Sequence, residues 1–130
     1  MADNTIRTIT SVTDNGGVNH TDVNGYHTRT GGGTITAFDT VLVAVGGCSC
    51  AVLEGLLKRD GYSPVKITGA VEGTRGEVPP RPFVAVKVHF GIECPGLDAQ
   101  KAAKYVESVE QHCPVIQSLK CSVTSTFELK

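Results

Sequence analysis

The sequence predicts an α+β fold with mostly antiparallel sheets, a long buried central helix and a second, amphipathic helix. Three observations carry that prediction. A nearly unbroken apolar run, TVLVAVGGCSCAVLEGLL (40–57), is long enough for several helical turns. Two β-branched stretches follow it, VKITGAVEG (65–73) and PFVAVKVHFGI (82–92). A later stretch, AQKAAKYVESVEQHC (99–113), carries apolar residues at helical spacing. Strands, helix, hairpin, helix and strand in that order segregate the helices instead of alternating them strand by strand.

Each element has a local reason. TIRTITSV (5–12) has the β-branched density of a strand, and DNGG (14–17) and NG (24–25) are turn signals, so two or three short strands open the chain, YHTRT (26–30) among them. GGG (31–33) reads as a flexible joint. Asp39 is placed to cap a helix beginning near Thr40; Lys58 and Arg59 suit its C-terminal dipole, and Gly61 suits the residue beyond its end. Its first half is apolar on every side, the pattern of a helix buried all round. Gly46 and Gly47 each cost about 1 kcal/mol relative to Ala inside a helix, a cost that close approach of another helix or a small substrate would offset.

In the hairpin, Val65, Ile67 and Val71 share a face, and Val84, Val86, Val88, Phe90 and Ile92 alternate. The loop between the two strands carries Arg75 and Arg81. Asp98 caps the second helix, on which Ala102, Val106, Val109 and Cys113 form the apolar stripe and Lys101, Lys104, Glu107, Glu110 and Gln111 the wet face. Pro114 starts a fresh turn. The last strand points Val123, Phe127 and Leu129 one way and Ser122, Thr124, Thr126 and Glu128 the other. The expected organisation is one domain over 1–130: N-terminal strands in 1–37, central helix in 38–61, hairpin in 64–93, second helix and extra turn in 97–120, closing strand in 121–130.

Composition narrows the function. A formal net charge of −1, no basic stripe and no Trp argue against nucleic acid and anionic membrane as partners. Residues 41–57 carry Glu54 and are shorter than the about 20 residues a bilayer span needs. The N-terminus lacks the basic and apolar regions of a secretory signal, so a cytoplasmic setting with five free thiols is expected instead of a disulfide framework.

Those thiols are the unusual chemical inventory. Cys48 follows the glycine pair on the central helix; Cys113 sits on a core-facing stripe at a helix break. Both helices must share one core, so the two can meet. Reactivity needs thiolate, and at a pKa of about 8.5 only about 3% of a thiol is ionised at pH 7. The free N–H groups of the turn beginning at Pro114 are a local source of positive potential for Cys113; Cys48 has none and would need an arginine brought by the fold. Against this stands the plain role of free cysteine as a small buried hydrophobe, the expected role of Cys50, Cys94 and Cys121. Metal binding has little support: CSC (48–50) offers two ligands, and His20, His27 and His89 share no spacing with it. No cofactor is expected.

FDTVLVAVGGCSCAVLEGLLKRDG (38–61) resembles the central helix of the OsmC/Ohr family, the osmotically inducible and organic hydroperoxide resistance proteins. VEGTRGEVPPRPFVAVKVHF (71–90) resembles that family's hairpin, and EQHCPVIQSLK (110–120) its second cysteine motif. The resemblance spans most of 38–129. It implies an intertwined homodimer acting as a thiol-dependent peroxidase in the stress response. Cys48 would attack an organic hydroperoxide and become a sulfenic acid, and Cys113 would condense with it to a disulfide. A dithiol, possibly lipoyl-type, would restore the pair. In the hydroperoxidase branch an early-strand Arg and a Glu near the helix start activate the first thiol. Here Asp39 stands near the Glu position, Arg7 and Arg29 are the early arginines, and the Pro that usually precedes the acid is missing, so the chain sits nearer the OsmC-like branch. The alternative implied by those departures is a non-catalytic small-molecule-binding protein with the family fold.

Overall fold

The computed structural model describes residues 4–12 and 17–130, so most of the DNGG turn lies outside the described residues. The chain falls into two compact units, one ending at Val41 and the other running from Leu42 to Lys130.

The first unit is an antiparallel meander in the order β1 (Thr8–Val12), β2 (Gly17–Asp22), β3 (His27–Gly31). His20, in the middle strand, bridges Thr10 Oγ1 and Thr30 Oγ1 at 2.9 Å each. The β2–β3 turn is built by Asp22, whose carboxylate accepts from the N–H groups of Asn24 and Tyr26. The glycine triplet is a closed turn, not a loose joint. All three residues have positive φ, and Thr34 ties back to the Gly31 carbonyl through N–H and hydroxyl. Three consecutive left-handed residues are a conformation that glycine alone adopts at little cost, so the GGG run specifies shape.

Helix α1 (Ala37–Arg59) begins in this unit and continues into the next. Its cap differs from the sequence expectation. Thr36 is the N-cap and Asp39 lies in the first turn: the Asp39 N–H donates to Thr36 Oγ1, and Asp39 Oδ2 accepts from the Thr36 N–H and hydroxyl. This is a capping box with Asp in the place of Glu, and it starts the helix three residues earlier than Asp39 capping would. The two Thr36 hydrogen bonds hold the Asp39 carboxyl below its usual range.

The second unit holds the core. Its sheet runs β4 (Lys66–Arg75), β5 (Phe83–Glu93), β6 (Ser122–Leu129), with β4–β5 antiparallel and β5–β6 parallel. The parallel pair follows from the crossover through α2 (Ala99–His112) and α3 (Pro114–Gln117). Strand β5 lies centrally and alternates from Val86 to Phe90, after which Gly91 and Ile92 are both buried. Val86, Val88, Phe90 and Ile92 are buried against the helices, while Lys87, His89 and Glu93 are exposed. Val45, Leu53 and Leu57 of α1 and Ala102, Val106 and Val109 of α2 complete the core. Each fully buried large side chain here contributes about 1.5–3 kcal/mol relative to leaving it in water. Asp98 caps α2, accepting from the Lys101 N–H at 2.8 Å. Across the β4–β5 loop, Arg75 Nε donates to the Arg81 carbonyl and Arg81 Nε to that of Gly76.

Helix α1 departs from the expectation of burial all round. Val45, Ser49, Leu53 and Leu57 are buried, but Val43, Ala44, Gly47, Ala51 and Gly55 are exposed on the opposite side. Within one chain the sheet and α2 cover only one side of this helix. Close approach accounts for Gly46, where a Cβ would come within 3.1 Å of Val71 Cγ2 on β4. Gly47 has no such neighbour within 4 Å.

Gly69 is a second point of close approach, since a Cβ there would stand 2.8 Å from Cys50 Sγ. Gly69→Ala is therefore expected to destabilise the protein by about 1–3 kcal/mol through overpacking. Adding Cys50→Ala removes the clashing sulfur and should recover part of the loss. Urea unfolding of the single and double variants checks this; strict additivity would show that the two positions do not press on one another.

Candidate active site

The two sequence-predicted thiols are brought together. Cys113 joins α2 to α3 in an extended conformation, φ −80° and ψ 110°. Pro114 imposes this, because the residue before a proline is pushed out of the helical region. The Cys113 N–H still closes α2 on the Val109 carbonyl at 2.9 Å, and its own carbonyl accepts from Gln117. Held from both sides, the side chain turns into the core and is completely buried. There the Cys48 side chain lies within hydrogen-bonding reach of it. Cys48 itself is half-buried, and both thiols are free.

The electrostatics of Cys113 reverse part of the sequence expectation. The backbone N–H groups of Val115 and Ile116 do favour its thiolate, as the turn at Pro114 suggested, although neither closes a formed cap hydrogen bond to the sulfur. Burial and the Cys48 side chain act the other way and dominate, so the Cys113 thiol is pushed up. Desolvation of a whole sulfur outweighs two partial dipoles. No cation is among the groups that move it. Cys113 thus keeps its proton beside Cys48.

Burial also raises Cys50 and Cys94. Unfolded thiols release protons near a pKa of about 8.5. Above that value the native state holds more protons than the unfolded chain, so stability falls as pH rises toward the raised native values. Denaturant melts from neutral to alkaline pH should show this decline, reduced in Cys113→Ser. An unchanged slope in that variant would contradict the raised Cys113 thiol.

Arg7, Arg29 and Asp39 belong to the first unit and the thiols to the second. The Arg29 guanidinium lies across Gly17, filling the space where a side chain would stand. Asp39 serves the α1 cap. Among the described residues no three His, Cys, Asp or Glu side chains converge as a metal site.

Sequence reasoning missed a tie between the residue just beyond α1 and the middle of α2. The Tyr105 hydroxyl on α2 donates to the Asp60 carboxylate, which Arg59 also holds at 3.0 Å. Tyr105 stands edge-on to Tyr62, with centroids 6.0 Å apart. The Asp60 carboxylate pushes the Tyr105 hydroxyl up to about 12. Forty-five positions separate the two residues, so no local pattern signals the pairing.

The family model for OsmC-like proteins matches residues 30–128. The chain belongs to the OsmC-like family. Solved structures agree on the OsmC-like fold. An OsmC-like protein from Mycoplasma pneumoniae superposes with a TM-score of 0.86 at 12% identity, covering 98% of this chain and 99% of that one. An organic hydroperoxide resistance protein OsmC from Legionella pneumophila gives 0.68 at 14%, covering 100% and 99%. The organic hydroperoxide resistance protein OhrB of Bacillus subtilis gives 0.63 at 18%, covering 97% and 98%. No curated protein matches the sequence. The α+β expectation thus holds for this OsmC-like chain, in which the structure forms two three-stranded sheets and a long helix.

Proposed function

We propose that this protein is a thiol-dependent reductase of organic hydroperoxides, acting in peroxide stress through Cys48 and Cys113. The contact of a half-buried thiol with a fully buried, proton-retaining one carries this reading. A peroxide entering from solvent meets Cys48 first. The Cys48 thiolate attacks the outer peroxide oxygen, the O–O bond breaks, and the alkoxide leaves and takes a proton to become the alcohol. Cys48 is left as a sulfenic acid. Cys113 sulfur then attacks the Cys48 sulfur; the hydroxyl departs with the Cys113 proton as water, and a disulfide forms. One hydroperoxide and two thiols yield alcohol, water and disulfide. An external dithiol, possibly of lipoyl type, reduces the bridge by exchange. The setting is cytoplasmic.

Likeness to the organic hydroperoxide resistance proteins of Legionella and Bacillus favours this chemistry over a non-catalytic binding role. The working unit is a homodimer, in which a second copy covers the exposed apolar side of α1. Treatment with tert-butyl or cumene hydroperoxide should lower the titratable thiols from five to three, the difference being the bridged pair. Retention of all five would overturn the proposal.

A further inference from the structure

We propose that a second site, between the C-terminal end of α1 and the first turns of α2, binds a small organic anion. A cavity of about 280 Å³ lies there, lined by Leu56, Arg59, Lys101, Lys104, Tyr105 and Ser108. That is just below the volume range of small-ligand sites. Three of the six lining side chains are cations and none is an acid. A neighbouring carboxylate, Asp60, is already held by Arg59 and Tyr105. Among the described residues, Lys101 and Lys104 form no ion pair, in contrast to Lys58 with Glu54 and Lys66 with Glu93. Two ammonium groups therefore face one cavity without a counter-charge.

The rest of the lining is hydrocarbon: Leu56, the Tyr105 ring and the lysine stems. Such a site suits a carboxylate with an apolar body. The head accepts charge-assisted hydrogen bonds from Lys101 and Lys104, and the Ser108 hydroxyl is a further polar group at hand. The tail lies on Leu56 and Tyr105. The placement follows from spacing: Lys101, Lys104, Tyr105 and Ser108 recur on one face of α2, and Leu56 and Arg59 are one turn apart on α1. Leu56 stands eight residues beyond Cys48, about 12 Å along the helix, so this site is distinct from the thiol pair and does not depend on its chemistry.

The test titrates the full-length, isotope-labelled protein with sodium octanoate and, separately, with neutral octanamide of the same shape, following backbone amide shifts. Octanoate is expected to saturate, with the largest shifts at Leu56, Lys101, Lys104, Tyr105 and Ser108. Octanamide should bind about tenfold or more weakly, and the octanoate affinity should fall as salt is raised. Lys101→Gln combined with Lys104→Gln should weaken octanoate by about tenfold or more. Both lysines are exposed and glutamine is a comparable helix former, so unchanged shifts elsewhere confirm that this variant is folded. Absence of saturation, equal affinity for the amide, shifts centred elsewhere, or an unaltered double variant would each overturn the proposal.

Discussion

Cys48→Ser is expected to abolish turnover of an organic hydroperoxide by this protein, with a loss of about a thousandfold or more, the scale of removing a nucleophile. Serine keeps the size and helix tolerance of cysteine, so the fold should survive. Its hydroxyl has no accessible anion at neutral pH and cannot carry the sulfenic acid. Cys113→Ser should behave differently. The first attack still proceeds, one sulfenic acid forms, and turnover stalls for want of the partner sulfur. A sulfenic-acid trap such as dimedone should label Cys113→Ser strongly and Cys48→Ser not at all. The asymmetry follows from exposure: Cys48 is half-buried and reachable, whereas Cys113 is fully enclosed with its proton retained. Equal labelling of both variants would assign the first attack to another thiol.

If the working unit is the proposed homodimer, Ala51→Glu is expected to convert it to a monomer. In the isolated chain Val43 is 62% exposed on a helix side shared with Ala44, Gly47, Ala51 and Gly55, which the exposed Glu54–Lys58 ion pair interrupts toward the C-terminal end. The small apolar residues of that side are well suited to close packing. Glutamate is a good helix former, so the monomer should retain its helix. In the dimer, however, each copy would bury an unpaired carboxylate. That costs about 3 kcal/mol or more, which is about 150-fold or more in Kd. Sedimentation at micromolar protein reads the difference. A wild type that is already monomeric, or a variant that stays dimeric, would show that something other than a second copy covers this helix.

What was legible in the sequence was local. Asp98 capping α2, the break at Pro114 and the alternation of Val86, Val88, Phe90 and Ile92 each depend on residues within a few positions. The candidate pair was legible as two thiols on helices that share one core and so can meet, but how closely they approach depends on how α1 and α2 cross that core. The Cys113 shift was misjudged for a related reason. The dipoles of the following turn are local and visible, while the burial that overrides them is a property of the whole fold. The parallel β5–β6 pairing and the Tyr105–Asp60 tie were hidden by sequence distance alone. The long helix misled in another way: its hydrophobic pattern does not say which sides its own core covers, and one side stays exposed in the chain. Its cap was misread by one turn because Thr36 and Asp39 are both good capping residues, and their reciprocal bonds decide between them.

The most direct measurement is the position of the bridge formed when the reduced protein is treated with a stoichiometric amount of an organic hydroperoxide, digested without reduction, and mapped by mass spectrometry. The account predicts one linkage, Cys48 to Cys113. A bridge between Cys48 and Cys50, a linkage through Cys94 or Cys121, or five unbridged thiols would contradict it.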